Sequence, residues 1–290
     1  MRVVQKTINL SGNTRKMYYE QFNSYDEYWR IVEQRERTNS HDESRNVLTK
    51  KFEKNWYGVS TYKEAKELLV NGWGQKISKI QNALKKEIEL CDTKRVARAF
   101  SNVCGFMPIV PNAIIGLPNC MIDTRKDLKK TRVIKIMIEI GCCCQYDSDE
   151  IIDYFSKVLA RIYALEKSGY RCRIEVLSTF SSPEKEYTET VVGHSILIKS
   201  ENQLFDTKRM AFPIAHSAML RVFGFGWENS LPIDYNSYHT YGLGRAYERW
   251  PRNARKEFEE QLNENGEKII VLTMGDDLDE IFGKGVINNG

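Results

Sequence analysis

The sequence lacks any long, uninterrupted apolar run. No stretch approaches the roughly 18–20 residues that a membrane-spanning helix needs. The first residues, Met1-Arg-Val-Val-Gln-Lys-Thr, contain no hydrophobic segment of signal-peptide length. We therefore expect a protein of the cytosol that has no membrane partner.

The seven cysteines do not form a regular framework. Their number is odd, three of them are consecutive at 142–144, and no Cys-x-x-Cys spacing occurs. Zinc sites favour that spacing, and neighbouring residues on an extended chain point to opposite faces, so three consecutive cysteines cannot converge on one ion. In the absence of an export signal, the cysteines are typical of reduced thiols in the cytosol.

Familiar catalytic and nucleotide-binding motifs are also missing. There is no Gly-x-Ser-x-Gly, His-Glu-x-x-His or P-loop, and Gly224-Phe-Gly226 lacks the third glycine of a dinucleotide site. The four histidines are scattered, and the positions of His194 in a strand and His216 on an apolar helix favour structural roles. A nucleophilic pair of Cys143 with either histidine stays open, because sequence cannot show spatial adjacency. We expect a protein without catalytic activity.

Length and charge set only broad bounds. A chain of 290 residues fits one large domain or two modest ones. Its hydrophobic content of 41% and charged content of 28% are ordinary for a globular protein. The net charge of +4 neither requires nor excludes a nucleic-acid partner.

The region after residue 131 has the pattern of an α/β sheet. The β-branched run 133–140 predicts a strand, Asp147 with Glu150 predicts a helix start, and 171–177 predicts a second, parallel strand. A third strand at 191–198 follows without a helix between, so we expect it to be antiparallel to the second. A helix over 208–221, a short strand at 223–227 and a last strand at 268–273 complete the order. The fold class is therefore α/β, with helices on both faces of the sheet.

The first 130 residues predict a separate region. It contains a short strand at 3–10, a helix capped by Ser24 and Glu27, and a helical hairpin near 61–90 that Trp56 and Trp73 anchor. Prolines and glycines then dominate a connector at 93–130. Because the connector is too apolar for a free linker, we expect it to be laid over a neighbouring surface. The expected domains are 1–130 and 131–290.

The order of elements after residue 131 resembles von Willebrand factor A-like domains. Those domains often bind a divalent metal through an Asp-x-Ser-x-Ser loop after the first strand and a later aspartate. Here Glu139-Ile-Gly-Cys-Cys143 occupies the place of the loop, and Asp276 or Asp277 the place of the later aspartate. The resemblance implies a degenerate metal site with Glu139, Cys143, Asp276 and Asp277 as its candidate ligands. Glycine offers no side-chain oxygen, and cysteine prefers softer metals than magnesium.

Four blocks of the chain form an ordered set of motifs: Trp56-x-Gly58 to Gly72-Trp73, Gly105 to Met121, Gly169 to Glu175, and Asp206 through His216 to Arg221. In these blocks the chain also resembles an uncharacterised family of tailed-bacteriophage proteins. The similarity implies a phage or prophage origin, action in the host cytosol or in association with the virion, and no particular reaction.

An aromatic and arginine-rich segment between Tyr235 and Arg255 is the candidate binding surface. Stacking aromatics interleaved with arginine suit single-stranded nucleic acid, and the same residue types dominate protein interfaces. A further basic cluster lies at 125–132. The candidate surface residues are Tyr235, Tyr238, Tyr241, Arg245, Arg249, Trp250, Arg252 and Arg255.

These patterns favour a non-catalytic interaction protein of phage type. Its partner would be a phage or host protein, docked at the carboxyl edge of the sheet or on the Tyr235–Arg255 segment. Two alternatives stay open: a metal-dependent enzyme or metal-gated adhesion module at Glu139 and Asp276, and a single-stranded nucleic-acid binder. No cofactor is expected under the leading hypothesis, and a divalent metal is expected only under the first alternative.

Overall fold

The structure is a computed structural model of the chain. It describes residues 1–10, 13–38, 46–74, 78, 80–82, 85, 100–102, 107–123, 133–141, 146–167, 170–181, 190–231, 245–247, 250, 252–263 and 269–284.

The described strands form one large mixed sheet and one small sheet. They are β1 (Arg2–Leu10), β2 (Asn13–Phe22), β3 (Phe100–Asn102), β4 (Met107–Pro108), β5 (Met121–Asp123), β6 (Val133–Glu139), β7 (Arg171–Ser181), β8 (Thr190–Lys199), β9 (Arg245–Ala246) and β10 (Ile269–Leu272). The large sheet has the order β1-β2-β8-β7-β6-β10, and β9 pairs with β7 outside that path.

The helices flank the strands in chain order. They are α1 (Tyr25–Thr38), α2 (Lys54–Tyr57), α3 (Tyr62–Asn71), α4 (Val110–Ile114), α5 (Ser148–Lys167), α6 (Thr207–Ala215), α7 (Phe225–Asn229) and α8 (Arg252–Leu262). The structure also describes two π-helical segments, Met219–Gly224 and Glu280–Lys284, and helical residues at 78, 80–82 and 85.

The predicted strand–helix–strand unit is confirmed. Strands β6 and β7 are parallel neighbours joined through α5, and β10 lies parallel to β6 on its other side. The expected antiparallel pairing of β7 with β8 is also confirmed, with an irregularity between Ile174 and Glu175. Asp147 accepts hydrogen bonds from the backbone N–H groups of Asp149 and Glu150, and the Glu150 carboxylate accepts from Asp147 N–H, as in a capping box.

Both faces of the large sheet are covered, as the sequence predicts. Successive residues of a strand point to opposite faces, so each strand contributes to two cores. Helices α1, α3, α5 and α6 contribute to the larger core, whose strand residues include Tyr18, Phe22, Ile134, Ile136, Ile138, Val176, Phe180, Val192 and Ile196. Helix α8 contributes to the smaller core, which contains Met17, Tyr19, Met137, Leu177, Val191, Ala254 and Phe258.

The N-terminal residues belong to the same sheet as the C-terminal half. Strands β1 and β2 form an antiparallel hairpin, and β2 then pairs in parallel with β8. The region 1–130 is therefore more than the helical and extended region that the sequence suggests, because its first 22 residues supply two strands of the main sheet. The cause is a pairing between residues about 170 positions apart, which no local pattern records.

Buried Glu20 ties this hairpin to the helices. Arg35 of α1 donates to both carboxylate oxygens at 2.6 and 3.0 Å, and Trp227 Nε1 donates at 2.7 Å. The Tyr18 hydroxyl is a third donor. Burial favours the neutral acid, but these donors and the charge of Arg35 outweigh it and hold the pKa of Glu20 below its usual value.

The expected helical hairpin is shown in part. Thr61 is the N-cap of helix α3, and its side chain accepts a hydrogen bond from Glu64 N–H. Residues 78, 80–82 and 85 of the second expected helix are also helical, and the rest of that range lies outside the described residues. The two tryptophans differ: Trp73 is buried, whereas Trp56 is 38% exposed. Trp56 is therefore too exposed to be only a hydrophobic anchor of the hairpin.

The proline-rich connector is not laid over a neighbouring surface in its described part. Strands β3, β5 and β4 form a separate three-stranded sheet, and α4 lies in the loop between β4 and β5. No described residue of 100–123 belongs to either core of the large sheet. Several of its aliphatic side chains remain exposed.

The short strand expected at 223–227 is helical instead. Phe223 and Gly224 end a π-helical segment, and Phe225 begins α7. The helix expected over 208–221 ends at Ala215, and His216 interrupts it in an extended conformation. Of the helices that the structure describes, none is both long and apolar enough to cross a bilayer.

We expect Arg35→Met to lower the free energy of unfolding by about 3–5 kcal/mol, because it leaves the buried Glu20 charge without its cation. Arg37→Met on the same helix is the control. Arg37 is 71% exposed and lies 3.8 Å from Glu33, so its replacement should cost less than about 0.5 kcal/mol. Urea unfolding at neutral pH measures both, and equal losses would contradict the role given to Glu20.

We expect His194→Phe to reduce the acid sensitivity of the fold. His194 is fully buried, neither ring nitrogen has a partner among the described residues, and burial lowers its pKa to about 3. An unfolded histidine titrates near pH 6.5, so below that pH only the unfolded chain takes up the proton. Stability should fall as the pH decreases from about 6.5 toward 3, by up to about 1.4 kcal/mol per pH unit for this residue.

The free energy of unfolding, measured at pH 7 and at pH 5, distinguishes His194→Phe from the wild type. The phenylalanine variant should lose less stability than the wild type over this interval. If the wild type and the variant lose the same free energy of unfolding between pH 7 and pH 5, then His194 takes up a proton in the native state as readily as in the unfolded chain.

Candidate functional site

The parallel strands β6, β7 and β10 point their carboxyl ends to one edge of the sheet, where open α/β folds keep their ligand sites. Glu139 ends β6 at this edge and is fully buried. Its Oε1 accepts from Gly141 N at 2.8 Å and Thr179 N at 3.4 Å, and its Oε2 accepts from the Thr179 hydroxyl. The carboxylate thus fixes the start of the loop after β6 against β7.

Lys135, on the same strand as Glu139, pairs with a carboxylate of the neighbouring strand. The Lys135 ammonium lies 3.4 Å from the buried carboxylate of Glu175, on the neighbouring strand β7. Lys135 and Glu139 are on the same face but four residues apart along an extended strand, about 13 Å. The cross-strand position of Glu175 is therefore much closer.

The aspartates after β10 stabilise turns. Asp276 Oδ2 accepts from Thr273 N at 2.8 Å, and Asp277 Oδ1 accepts from the N–H groups of Asp279 and Glu280. Burial raises the pKa of Asp276 in spite of the Thr273 hydrogen bond and of Arg255, whose Nη1 is 3.9 Å away.

The fourth candidate ligand, Cys143, lies outside the described residues. Within the ranges that are described, no three His, Cys, Asp or Glu side chains cluster in a way that could hold a metal ion.

The Tyr235–Arg255 segment is described only near its end. Tyr235, Tyr238, Tyr241, Arg249 and the side chain of Arg245 lie outside the described residues.

Trp250 does not contribute to an exposed surface. It is 4% exposed and packs against Tyr247 and Phe258 in the smaller core. Arg255 Nε donates to Trp250 O at 3.2 Å, whereas Arg252 is exposed. The segment therefore begins to bury its aromatic side chains before α8 starts.

A small cleft lies at the carboxyl edge, where docking was expected, but none of the residues that line it is among the predicted metal ligands or surface residues. Ile140, which follows β6, lines it together with the first turns of α5 and the segment after α6. Its apolar lining is Ile140, Ile151, Phe155, Ile214 and Leu220, and its polar lining is His216, Ser217 and Arg221.

Two distant sequence blocks meet at this cleft. A Cβ on Gly58 would lie 2.6 Å from His216 Cε1 and 3.0 Å from Ser217 Oγ, so only glycine allows this approach. Gly58 also has a φ of +76°, which favours glycine. Trp73 packs edge-on against His216 at 4.7 Å between ring centres. The blocks 56–73 and 206–221, which carry part of the phage resemblance, thus form one structural unit.

His216 is held in one neutral form. Its Nδ1 accepts from Ala218 N at 3.0 Å, so the proton of the neutral ring resides on Nε2. The ring stacks on Phe212 at 4.5 Å, and burial lowers the pKa of His216 to about 4. At neutral pH the imidazole is therefore an uncharged hydrogen-bond donor through Nε2.

Arg221 joins the cleft to an exposed tryptophan. Its Nη1 donates to Trp56 O at 2.5 Å, and its guanidinium lies 4.5 Å from the centre of the Trp56 ring. Ser217 Oγ donates to Tyr57 O at 3.2 Å. The site therefore places a partly exposed aromatic ring and a fixed guanidinium beside a small, mostly apolar cavity.

We expect Gly58→Ala to destabilise the protein by about 2–4 kcal/mol, because the new methyl group meets the His216 ring and the backbone keeps a positive φ. Gly74→Ala is the matched control, since its Cβ would meet no atom within 4 Å. Thermal unfolding measures both variants. Equal melting temperatures for the two would contradict the close packing of the two blocks.

No curated protein and no solved structure matches the chain. Residues 4–281 match a family described as "Domain of unknown function (DUF7192)". This match includes the cleft, the two blocks that form it and, apart from the first two residues of β1, every strand of the large sheet. The chain therefore belongs to the DUF7192 domain family.

Proposed function

We propose that this chain is a non-catalytic interaction protein that docks a protein partner at the carboxyl edge of its sheet, beside Trp56 and Arg221. The observation that carries the proposal is the partly exposed Trp56 ring, whose centre lies 4.5 Å from the Arg221 guanidinium, beside a small, mostly apolar cavity. Tryptophan, tyrosine and arginine supply most of the binding energy in protein interfaces.

The geometry of this pair supports docking. Arg221 is fixed by its hydrogen bond to Trp56 O, and the Trp56 ring also packs against Tyr57 and Phe225. A side chain that is already held in place loses little conformational entropy when a partner binds. The partially exposed indole can then be covered without any rearrangement of the fold.

The polar groups of this edge support binding more than catalysis. His216 Nδ1 accepts from a backbone N–H, Ser217 donates to a backbone carbonyl, and Glu139 accepts from Gly141 and Thr179. A general base needs a free lone pair near its target proton. In this arrangement the Nδ1 lone pair of His216 is already used by the fold.

We also propose a von Willebrand A-like arrangement for the C-terminal half. The proposal is supported by the parallel pair β6 and β7 joined through α5, followed by the antiparallel strand β8, which is the succession of elements on which the resemblance rests. The hairpin β1–β2 extends the sheet beyond β8. A phage or prophage origin, with action in the host cytosol or on the virion, remains part of this proposal.

We expect Trp56→Ala to reduce the capture of the partner by at least about 30-fold, as for an interface hot spot worth about 2 kcal/mol. The tagged protein would be isolated from its native host during phage growth, and the bound proteins quantified by mass spectrometry. Leu204→Ala is the control, because Leu204 is 84% exposed and far more accessible than Trp56.

Three outcomes would contradict the proposal. Equal capture by wild type and Trp56→Ala would remove the cleft from the interface. Nuclease-sensitive material that dissociates steeply with salt would favour the nucleic-acid alternative. A thermal shift with divalent cations that Asp276→Ala abolishes would favour the metal alternative.

A further inference from the structure

Strand β1 forms one edge of the large sheet. Among the described strands it pairs with β2 alone. The backbone N–H and C=O groups of an outer strand point alternately toward its neighbour and away from it, so about half of those in β1 face outward. These outward groups are a template on which another extended chain can add as a further strand.

Strand β1 lacks several features that commonly protect an edge strand. Protected edges are often short, or they carry proline or a bulge. β1 has nine residues and no proline, whereas strands typically have about five or six residues. Its register with β2 runs without a shift from Arg2 to Leu10. The strand is therefore a long and regular edge.

The one lysine of the strand is held by a helix. Lys6 Nζ donates to Gln261 O at 3.2 Å, in the last turn of α8. Carbonyl groups in the last turn have no partner within their own helix and accept readily from such side chains. The Lys6 side chain therefore lies along the face of the sheet that α8 covers, rather than across the edge.

The two faces of β1 offer different groups to an added strand. Val4 packs against the smaller core, and Lys6 is half-buried on the same face. On the other face the alternate residues from Val3 to Asn9 are exposed. Arg2 shares the face of Lys6, and four residues of extended chain separate the two by about 13 Å.

The hairpin of β1 and β2 carries an excess of positive charge. Residues 2–22 contain four basic residues and one acidic residue, a net charge of +3, whereas the whole chain has +4. The acidic residue is Glu20, which is buried and paired with Arg35. β1 itself contains no acidic residue. The edge therefore favours a negatively charged strand as its neighbour.

We propose that β1 receives an extended acidic segment of another protein, which pairs with it as an added strand of the large sheet. In this mode the backbone hydrogen bonds supply affinity, and alternate side chains supply specificity. Carboxylates four residues apart on the added strand match the spacing of Arg2 and Lys6 on one face. This inference does not rest on the docking function proposed for the Trp56 cleft.

A second copy of the chain fits this edge less well. Antiparallel pairing of two β1 strands would place two copies of Arg2 and of Lys6 on one ribbon that contains no acidic residue. Like charges on neighbouring strands destabilise a sheet. Nucleic acid is attracted by the same charge, but it has no peptide groups with which to continue the ladder of hydrogen bonds.

Fluorescence anisotropy of a labelled peptide, titrated with the full chain, tests the proposal. The probe is Thr-Glu-Val-Thr-Val-Glu-Val-Thr, and the matched peptide has lysine in place of both glutamates. We expect the wild type to bind the acidic peptide at least about tenfold more tightly than the basic one. Arg2→Glu/Lys6→Glu should reverse this preference, and an unfolded variant could not show such a gain of binding.

Lys63→Glu/Arg209→Glu is the matched control. It makes the same change of charge at side chains that are 87% and 82% exposed on α3 and α6, so it should keep the preference for the acidic peptide. Hydrogen–deuterium exchange reports the pairing itself, because the bound peptide should slow exchange of the β1 amides. An acidic peptide that is N-methylated at two adjacent central residues should not bind, since both of its edges are blocked.

Reversed preference in the β1 variant, together with slowed exchange in β1, would support the proposal. Three results would overturn it: no binding of the acidic peptide to the wild type, equal binding of the N-methylated peptide, or the same preference in the β1 variant as in the control. Slowed exchange in β1 on self-association alone would assign the edge to a second copy instead. Single-stranded DNA that binds more tightly than the acidic peptide, and that the β1 variant no longer binds, would assign the hairpin to nucleic acid instead.

Discussion

The buried carboxylate of Glu20 is the constraint on which the architecture depends. A charge that is fully removed from water must be compensated, and its compensating groups come from β2, α1 and α7. Those elements are separated by up to 207 residues. Meeting the hydrogen-bonding needs of one side chain therefore brings the first strands and the late helices into one packed unit.

His194 gives this arrangement a second constraint. It lies directly opposite Glu20 on the adjoining strand β8, and its ring packs between Tyr28 and Trp227. The neutral form of the imidazole is favoured over the charged form there, because burial penalises the imidazolium and Arg35 already neutralises the nearby charge of Glu20. The centre of the larger core is thus polar, yet closed to solvent.

The parts of the fold that the sequence predicts are those coded by nearby residues. Asp147 with Glu150, and Ser24 with Glu27, form the expected caps because each pair is three residues apart. Strands β6, β7 and β8 follow from apolar runs of the right length. Local patterns could not reveal that β2 lies beside β8. They also could not show that Phe223–Trp227, whose aromatic residues alternate as in a strand, is helical rather than extended.

The site was less predictable than the fold for the same reason. Gly58 and His216 interact across 158 residues, and only the order of loose motifs hinted that their blocks belong together. Tryptophan is a residue type typical of interface hot spots, but Trp250 is buried because it packs against Phe258 and Tyr247. Residue type therefore identified candidate groups, and tertiary contacts decided which of them face solvent.

The parallel pairing of β2 with β8 has a consequence for synthesis on the ribosome. Glu20 and His194 are 174 residues apart, so at about 5–20 residues per second the hairpin waits roughly 9–35 s for its partner strand. Throughout that interval the edge of β2 that later pairs with β8 carries unpaired backbone groups. Trp227, which donates a hydrogen bond to the Glu20 carboxylate, has not yet been synthesised either. The N-terminal hairpin is thus the first part of the sheet to emerge, yet it can join the sheet only after β8 has been synthesised.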